Sequence, residues 1–290
     1  MSGEAVLGPI GSAPQKPSDP QVVITPPRGL ALPRWREVWE AREVAFRFAQ
    51  RDILLRYRQT VVGVAWVIIQ PLLAAGIFTI VFGTIANLST GGVPPLLFSF
   101  MGMLGWNLFS SVLGRVAPSL VGNSALISKV FFPRMVVPLS TIGSVILDFA
   151  VALVMGAVLL VVYGVNPGWP IALVPIWVVL TILFSAGFGL FFTTLQVKYR
   201  DVAYVLPWVT QILLYASPVA YSVDAVPANL RTAFEANPIT WMLNTFRWSL
   251  LGTEPPAGWQ IAAFIGVSFV VFFLGAVFFQ TWERQFVDVI

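Results

Sequence analysis

From Gln59 to Gly114 the chain carries no charged residue. Between Arg134 and Lys198 the only charge is Asp148, and between Glu254 and Glu283 there is none. A helix that crosses a bilayer needs about 20 consecutive, mostly apolar residues. The first two runs each have room for two such helices and a turn, and the third has room for one. Composition argues against a soluble alternative. Charged residues make up 10% of the chain and hydrophobic residues 57%, with a mean hydropathy of +0.82. A soluble domain carries about 25% charge. Folded in water, this chain would expose apolar patches well beyond the roughly 300–600 Å² that a monomer tolerates. The expected fold class is therefore an all-α integral membrane protein.

The runs divide into six expected spans. They cover about Val61–Leu88, Leu96–Val121, Val136–Tyr163, Ile171–Gln196, Val202–Tyr221 and Ile261–Thr281. Turn residues separate them: Gly91-Gly92 before Pro95, and the Gly/Pro segment from Gly164 to Pro170. Between spans five and six lies a longer segment, Ser222 to Trp259, with its own apolar piece from Ile239 to Leu251. That piece is too short to cross a bilayer and fits a re-entrant or interfacial helix on the outer side. Before the spans, residues 1–33 hold Pro9, Pro14, Pro17, Pro20, Pro26, Pro27 and Pro33 and no aromatic residue, the composition of a disordered tail. Residues 34–58 alternate arginines with acids. Their apolar Trp35, Trp39, Phe46, Ile53 and Tyr57 recur at helical spacing, as in an amphipathic helix lying at the membrane surface. Residues 59–290 form the six-span domain.

Lysine and arginine set the orientation. Nearly all lie before span one, in the loop holding Lys129 and Arg134, in the loop holding Lys198 and Arg200, and at Arg284. The opposite set of loops holds only Arg231 and Arg247. The expectation is a multi-pass protein of a bacterial inner membrane with both termini in the cytoplasm.

Several chemistries are excluded. Without cysteine or histidine the chain has no disulfide, no Cys/His metal site and no Ser-His or Cys-His nucleophile. Lys16, Lys129 and Lys198 never follow glycine, so no phosphate-cradling G-x-x-x-x-G-K-[ST] loop exists. The acids form no adjacent pair suited to a membrane-embedded glycosyltransferase. Within the spans, Ser140, Ser144, Asp148, Ala152 and Gly156 share one helical face, and Ser185, Gly189 and Thr193 share another, which favours close helix packing. Asp148 sits near mid-span, where a charge costs at least ~2.5 kcal/mol. It is open to three roles: a proton relay, a partner of Arg115 in span two, or a hydrogen-bonded structural acid. Trp106, Phe109, Trp208, Tyr215 and Tyr221 stand beside small or polar residues and are candidates for an aromatic-lined path for sugars; interfacial belts or lipid-facing bulk are the plainer alternative.

The motifs resemble a family. Arg56-Tyr57-Arg58-Gln59-Thr60 with Gly63, Trp66 and Gln70-Pro71-Leu72 is similar to the start of span one in ABC-2 type permeases. The loop Asn123–Arg134, followed by Pro138-Leu139, resembles the loop after span two. Lys198–Val202, Leu206-Pro207-Trp208, Gln211, Ser217-Pro218-Val219, Tyr221 and Asn237-Pro238 resemble the signature around spans four and five. The branch that fits best is the permease of lipid-linked polysaccharide exporters, which move O-antigens, teichoic acids or galactan. The bias of arginine over lysine fits a high-GC source and, with it, a cell-wall galactan.

The resemblance implies a homodimeric channel of two copies, docked on two copies of a separate nucleotide-binding ATPase. That partner would use ATP and magnesium, with no cofactor bound by this chain and no enzymatic activity of its own. Asn123, Lys129, Phe132 and Arg134 would couple the two subunits. No nucleic-acid partner is implied. The competing expectation is a proton-driven secondary transporter that uses Asp148.

Overall fold

The computed structural model describes residues 31–57, 64–127 and 132–283, and every regular element in it is helical. The tail up to residue 30, Arg58, Lys129 and the last seven residues lie outside the described residues. Helix α1 (Trp35–Glu40) and α2 (Arg42–Tyr57) replace the single N-terminal helix expected from the sequence, with a break at Ala41. Helix α3 (Val64–Phe78) continues as a π-helical stretch, Thr79–Ile85. Then come α4 (Pro95–Val116), α5 (Ile142–Val162), α6 (Val174–Lys198) and α7 (Val202–Tyr215). Two helices, α8 (Ala228–Glu235) and α9 (Pro238–Leu251), precede the last, α10 (Gly258–Trp282).

Among the described residues five helical stretches are long and apolar enough to cross a membrane: Ala65–Ile85, Pro95–Val116, Val136–Val162, Trp169–Lys198 and Gly258–Trp282. The expected fifth span, Val202–Tyr221, differs. Its helix ends at Tyr215 after 14 residues. At 1.5 Å per residue it is about 21 Å long, short of the ~30 Å of bilayer hydrocarbon. The chain then turns through residues 216–222 without a helix. Pro218 explains part of this, because a proline cannot donate to the helical ladder.

Helix α4 is the hub. Its long buried face, including Phe100, Leu104, Leu108, Phe109 and Val112, packs against α3, α5, α6 and α9. In lipid such packing gains little from expelling water and depends on close contact. The small-residue stripes serve that need, since Thr193 of α6 donates to the Val116 carbonyl at 2.8 Å and Ser144 of α5 accepts from Arg115 at 3.1 Å.

The tightest approach joins α6 to α10. A Cβ on Gly275 would lie 2.1 Å from the Gly187 carbonyl oxygen, and one on Gly187 would lie 2.5 Å from that of Val271. Both obstacles are backbone and cannot move aside. Gly275→Val should therefore force the helices apart and lower thermal stability in detergent by roughly 1–3 kcal/mol. Gly266→Ala, where a Cβ meets nothing within 4 Å, should leave the thermal midpoint unchanged.

Candidate functional site

The basic loops place one end of the bundle beside α2, and here the polar contacts gather. Arg51 of α2 donates to Asn123 Oδ1 at 2.7 Å, and Asn123 in turn donates to the Ser119 carbonyl at 2.8 Å. Phe48 packs on Phe132 with ring centroids 5.5 Å apart. Arg134 is fixed from the other side: its backbone N–H donates to Glu283 Oε1 at 3.0 Å and its guanidinium to the Glu283 carbonyl at 2.8 Å. The loop is thus framed by α2 and by the end of α10. Lys129, the fourth residue named for coupling, lies outside the described residues.

The face of α2 that faces the bundle carries Phe48, Arg51 and Arg56. Of the apolar residues that the sequence spacing grouped together, Trp39 and Phe46 are exposed, while Trp35 stacks on Phe272 of α10 at 5.6 Å. A few polar and aromatic side chains therefore hold the helix, and part of its apolar surface points away from the bundle.

Arg56 has the longest reach. Its guanidinium meets Asp148 of α5 at 2.8 Å, and Arg115 of α4 stands 3.8 Å from the same carboxylate oxygen. Two cations from two elements converge on one mid-span acid, beside Gln70, Asn107 and Ser111 in a polar notch. Arg115 was the partner named from sequence. Arg56 is the nearer one, and its only signal in the sequence is the arginine-rich N-terminal helix.

The five aromatic candidates divide. Trp208 and Tyr215 on α7 are 72% and 58% exposed. Tyr221 lies close by, its hydroxyl donating to the Tyr215 carbonyl at 3.3 Å and its ring 5.6 Å from that of Phe82. Trp106 borders a cleft between α4 and α7 that also shows Gln196, Thr210 and Gln211. Phe109 is 2% exposed and packs against Trp106 and Phe184, so it borders no open surface of the single chain.

At the opposite end of the bundle, Arg247 of α9 is buried. Its Nη2 donates to the carbonyls of Pro218 and Val219 at 2.6 and 2.7 Å, and the guanidinium lies 4.0 Å above the Phe98 ring. Asn237, which caps α9, donates to Ser217 Oγ at 3.0 Å. Gly102 makes room, because a Cβ there would sit 2.0 Å from the Val219 oxygen. These contacts satisfy the Pro218 and Val219 carbonyls in the non-helical stretch after Tyr215. Sequence alone marks Arg247 only as a topology charge. A lone arginine inside the apolar run Ile239–Leu251 was the available signal.

Residues 44–251 match the family described as "ABC-2 type transporter". The chain is 24% identical to an O-antigen export system permease protein, RfbA, of Myxococcus xanthus over 255 residues, which cover 87% of this chain and 97% of the relative. It is 25% identical to the protein of the same description from Klebsiella pneumoniae over 245 residues, 83% of this chain and 92% of the relative. The polysialic acid transport protein KpsM of Escherichia coli is 23% identical over 240 residues, 81% of this chain and 91% of the relative.

The cluster around Asp148 makes a stability prediction. Asp148→Ala leaves Arg56 and Arg115 facing each other without an anion. It should destabilise the protein more than Arg56→Ala does, and a double-mutant cycle between the two positions should show coupling of roughly 0.5–3 kcal/mol. Thermal unfolding in detergent checks both.

Proposed function

We propose, because the chain belongs to the ABC-2 type transporter family, that it is the membrane-spanning subunit of an ATP-driven exporter of lipid-linked polysaccharide. The match over residues 44–251 carries this reading. The relatives described as O-antigen export permeases and a polysialic acid transport protein support the substrate class. The chain has no phosphate-cradling motif, so a separate nucleotide-binding ATPase, using ATP and magnesium, supplies the energy.

In this proposal two copies form the channel and two ATPase copies dock on the end that carries the basic loops. Helix α7 and the strap 216–222 together make the fifth of six crossings, with α8 and α9 re-entrant on the outer side. Irregular backbone at that depth must be buried in protein, and Ser217, Val219 and Ala220 are buried. Both termini lie in the cytoplasm. The sugar path passes the exposed rings of Trp208, Tyr215 and Tyr221 and the cleft beside Trp106, with Phe109 backing Trp106. Rings beside small polar groups hold sugars weakly and repeatedly, as a moving chain requires.

Coupling is mechanical. A push on the Asn123–Arg134 loop reaches α2 through Arg51 and Phe48, and α10 through Glu283. The proton-driven alternative loses ground, because Asp148 is held between two guanidinium groups in the manner of a structural ion pair.

Two outcomes are expected. Lys129→Glu should reduce co-purification with the ATPase subunit and lower export at least tenfold, whereas an unchanged complex with normal export would refute docking at this loop. Asp148→Asn keeps hydrogen-bonding capacity and removes the charge. It should retain most export, measured as surface polysaccharide. Complete loss of export in a folded, ATPase-active Asp148→Asn complex would favour the proton relay instead.

A further inference from the structure

A cleft opens at the end of the bundle opposite the basic loops, between the 90–94 turn, the 222–224 turn and the 251–257 connection into α10. Asp224, Glu235 and Glu254 border it with Asn244, Gln260 and Arg247. Arg247 is only 4% exposed. One of its nitrogens, Nη2, holds the strap carbonyls, while Nε has no hydrogen-bond partner. Among the described residues no carboxylate comes within ion-pair distance of it. Buried charges are ordinarily paired, and this guanidinium, set over the Phe98 ring and bound to two carbonyls, brings a positive charge that no carboxylate neutralises to the wall of the cleft.

The chemistry of the wall narrows the ligand. Three carboxylates repel a free anion. A bare cation is opposed by Arg247, and among the described residues no cluster of acids is arranged to hold a metal ion. A group that both donates to carboxylates and accepts from guanidinium and amide N–H fits all of these residues at once. Vicinal hydroxyls do this, since each is both donor and acceptor. We propose that this cleft is a binding subsite for a neutral saccharide segment, formed within one chain and separate from the aromatic path between copies.

The inference rests on the export reading and places a contact for the emerging polymer at the outer end. Glu254 and Asn244 would take the hydroxyls, and Arg247 would bind from below while keeping the strap in place. Because Arg247 also supports the fold, the cleft is best tested through Asn244 and Glu254.

The test uses the full-length protein in lipid nanodiscs and saturation-transfer NMR. The probes are neutral linear pentasaccharides of mannose, galactose or rhamnose, with sialic acid and glycerol 3-phosphate as anionic controls. At least one neutral pentasaccharide should give transfer. A Trp208→Ala/Tyr215→Ala variant, which removes the aromatic path, should keep part of the transfer, and adding N244A/E254Q to it should weaken what remains at least tenfold. Complete loss of signal in the aromatic variant, binding of the anions alone, or no binding of any probe would overturn the inference. Surface polysaccharide is measured in parallel. If deletion of the chain leaves it unchanged, the export reading itself fails. If deletion abolishes it but the cleft variant neither binds differently nor exports differently, only the subsite fails.

Discussion

In a solvent that offers no hydrogen bonds, every polar group of a helical bundle has to find its partner inside the protein. Most of the structure follows from that requirement. Helices satisfy their own backbones, so the chain is helical wherever it is long and apolar. The exceptions are informative. Beyond Tyr215 the helix stops, and the freed carbonyls of Pro218 and Val219 are met by Arg247. Gly102 exists at that crossing because any side chain would collide with the Val219 oxygen. At mid-span Asp148 is acceptable because Arg56 and Arg115 converge on it from two different elements.

Those two knots sit toward opposite ends of the hub helix α4. One ties the arginine-rich N-terminal helix to α4 and α5; the other ties the 216–222 strap to α4 and α9. Between them the bundle is held by close packing of small residues and by buried phenylalanines, with no charge to relax. Such a core transmits displacement, because well-packed interiors are stiff. A force applied at the Asn123–Arg134 loop would pass to α2 and α10 at once. This division between a gripped end, a rigid middle and a strapped opposite end suits a subunit that is driven from one side.

Much of this was legible in the sequence, for physical reasons. Runs without charge are visible directly, so the membrane class was legible and five of the six expected spans correspond to helices near the expected places. The Gly91-Gly92 turn and the Gly164–Pro170 turn were equally clear. What the sequence could not show was pairing across distance. Asp148 announced the need for a partner, yet nothing local distinguished Arg56 from the other arginines of its helix. The apolar spacing of Trp35, Trp39, Phe46, Ile53 and Tyr57 points to a face lying on the membrane, and it could not show that Trp35 stacks on Phe272 or that Phe48, Arg51 and Arg56 make the polar and aromatic contacts to the bundle. Val202–Tyr221 is uncharged and mostly apolar, and Pro218 together with tertiary support from Arg247 explains why its last third can abandon the helix. Phe109 and Trp208 look alike in local sequence, and burial alone separates them.

The central claim is that this chain moves a lipid-linked polysaccharide with energy from a partner's ATP. Inside-out membrane vesicles containing the chain and its nucleotide-binding partner test it most directly. The quantity to measure is the fraction of radiolabelled lipid-linked polysaccharide that becomes protected from an added glycosidase. The account predicts protection that requires ATP hydrolysis and survives collapse of the proton gradient by an uncoupler. Protection driven by a proton gradient without nucleotide, or lost when the gradient alone is collapsed, would contradict it.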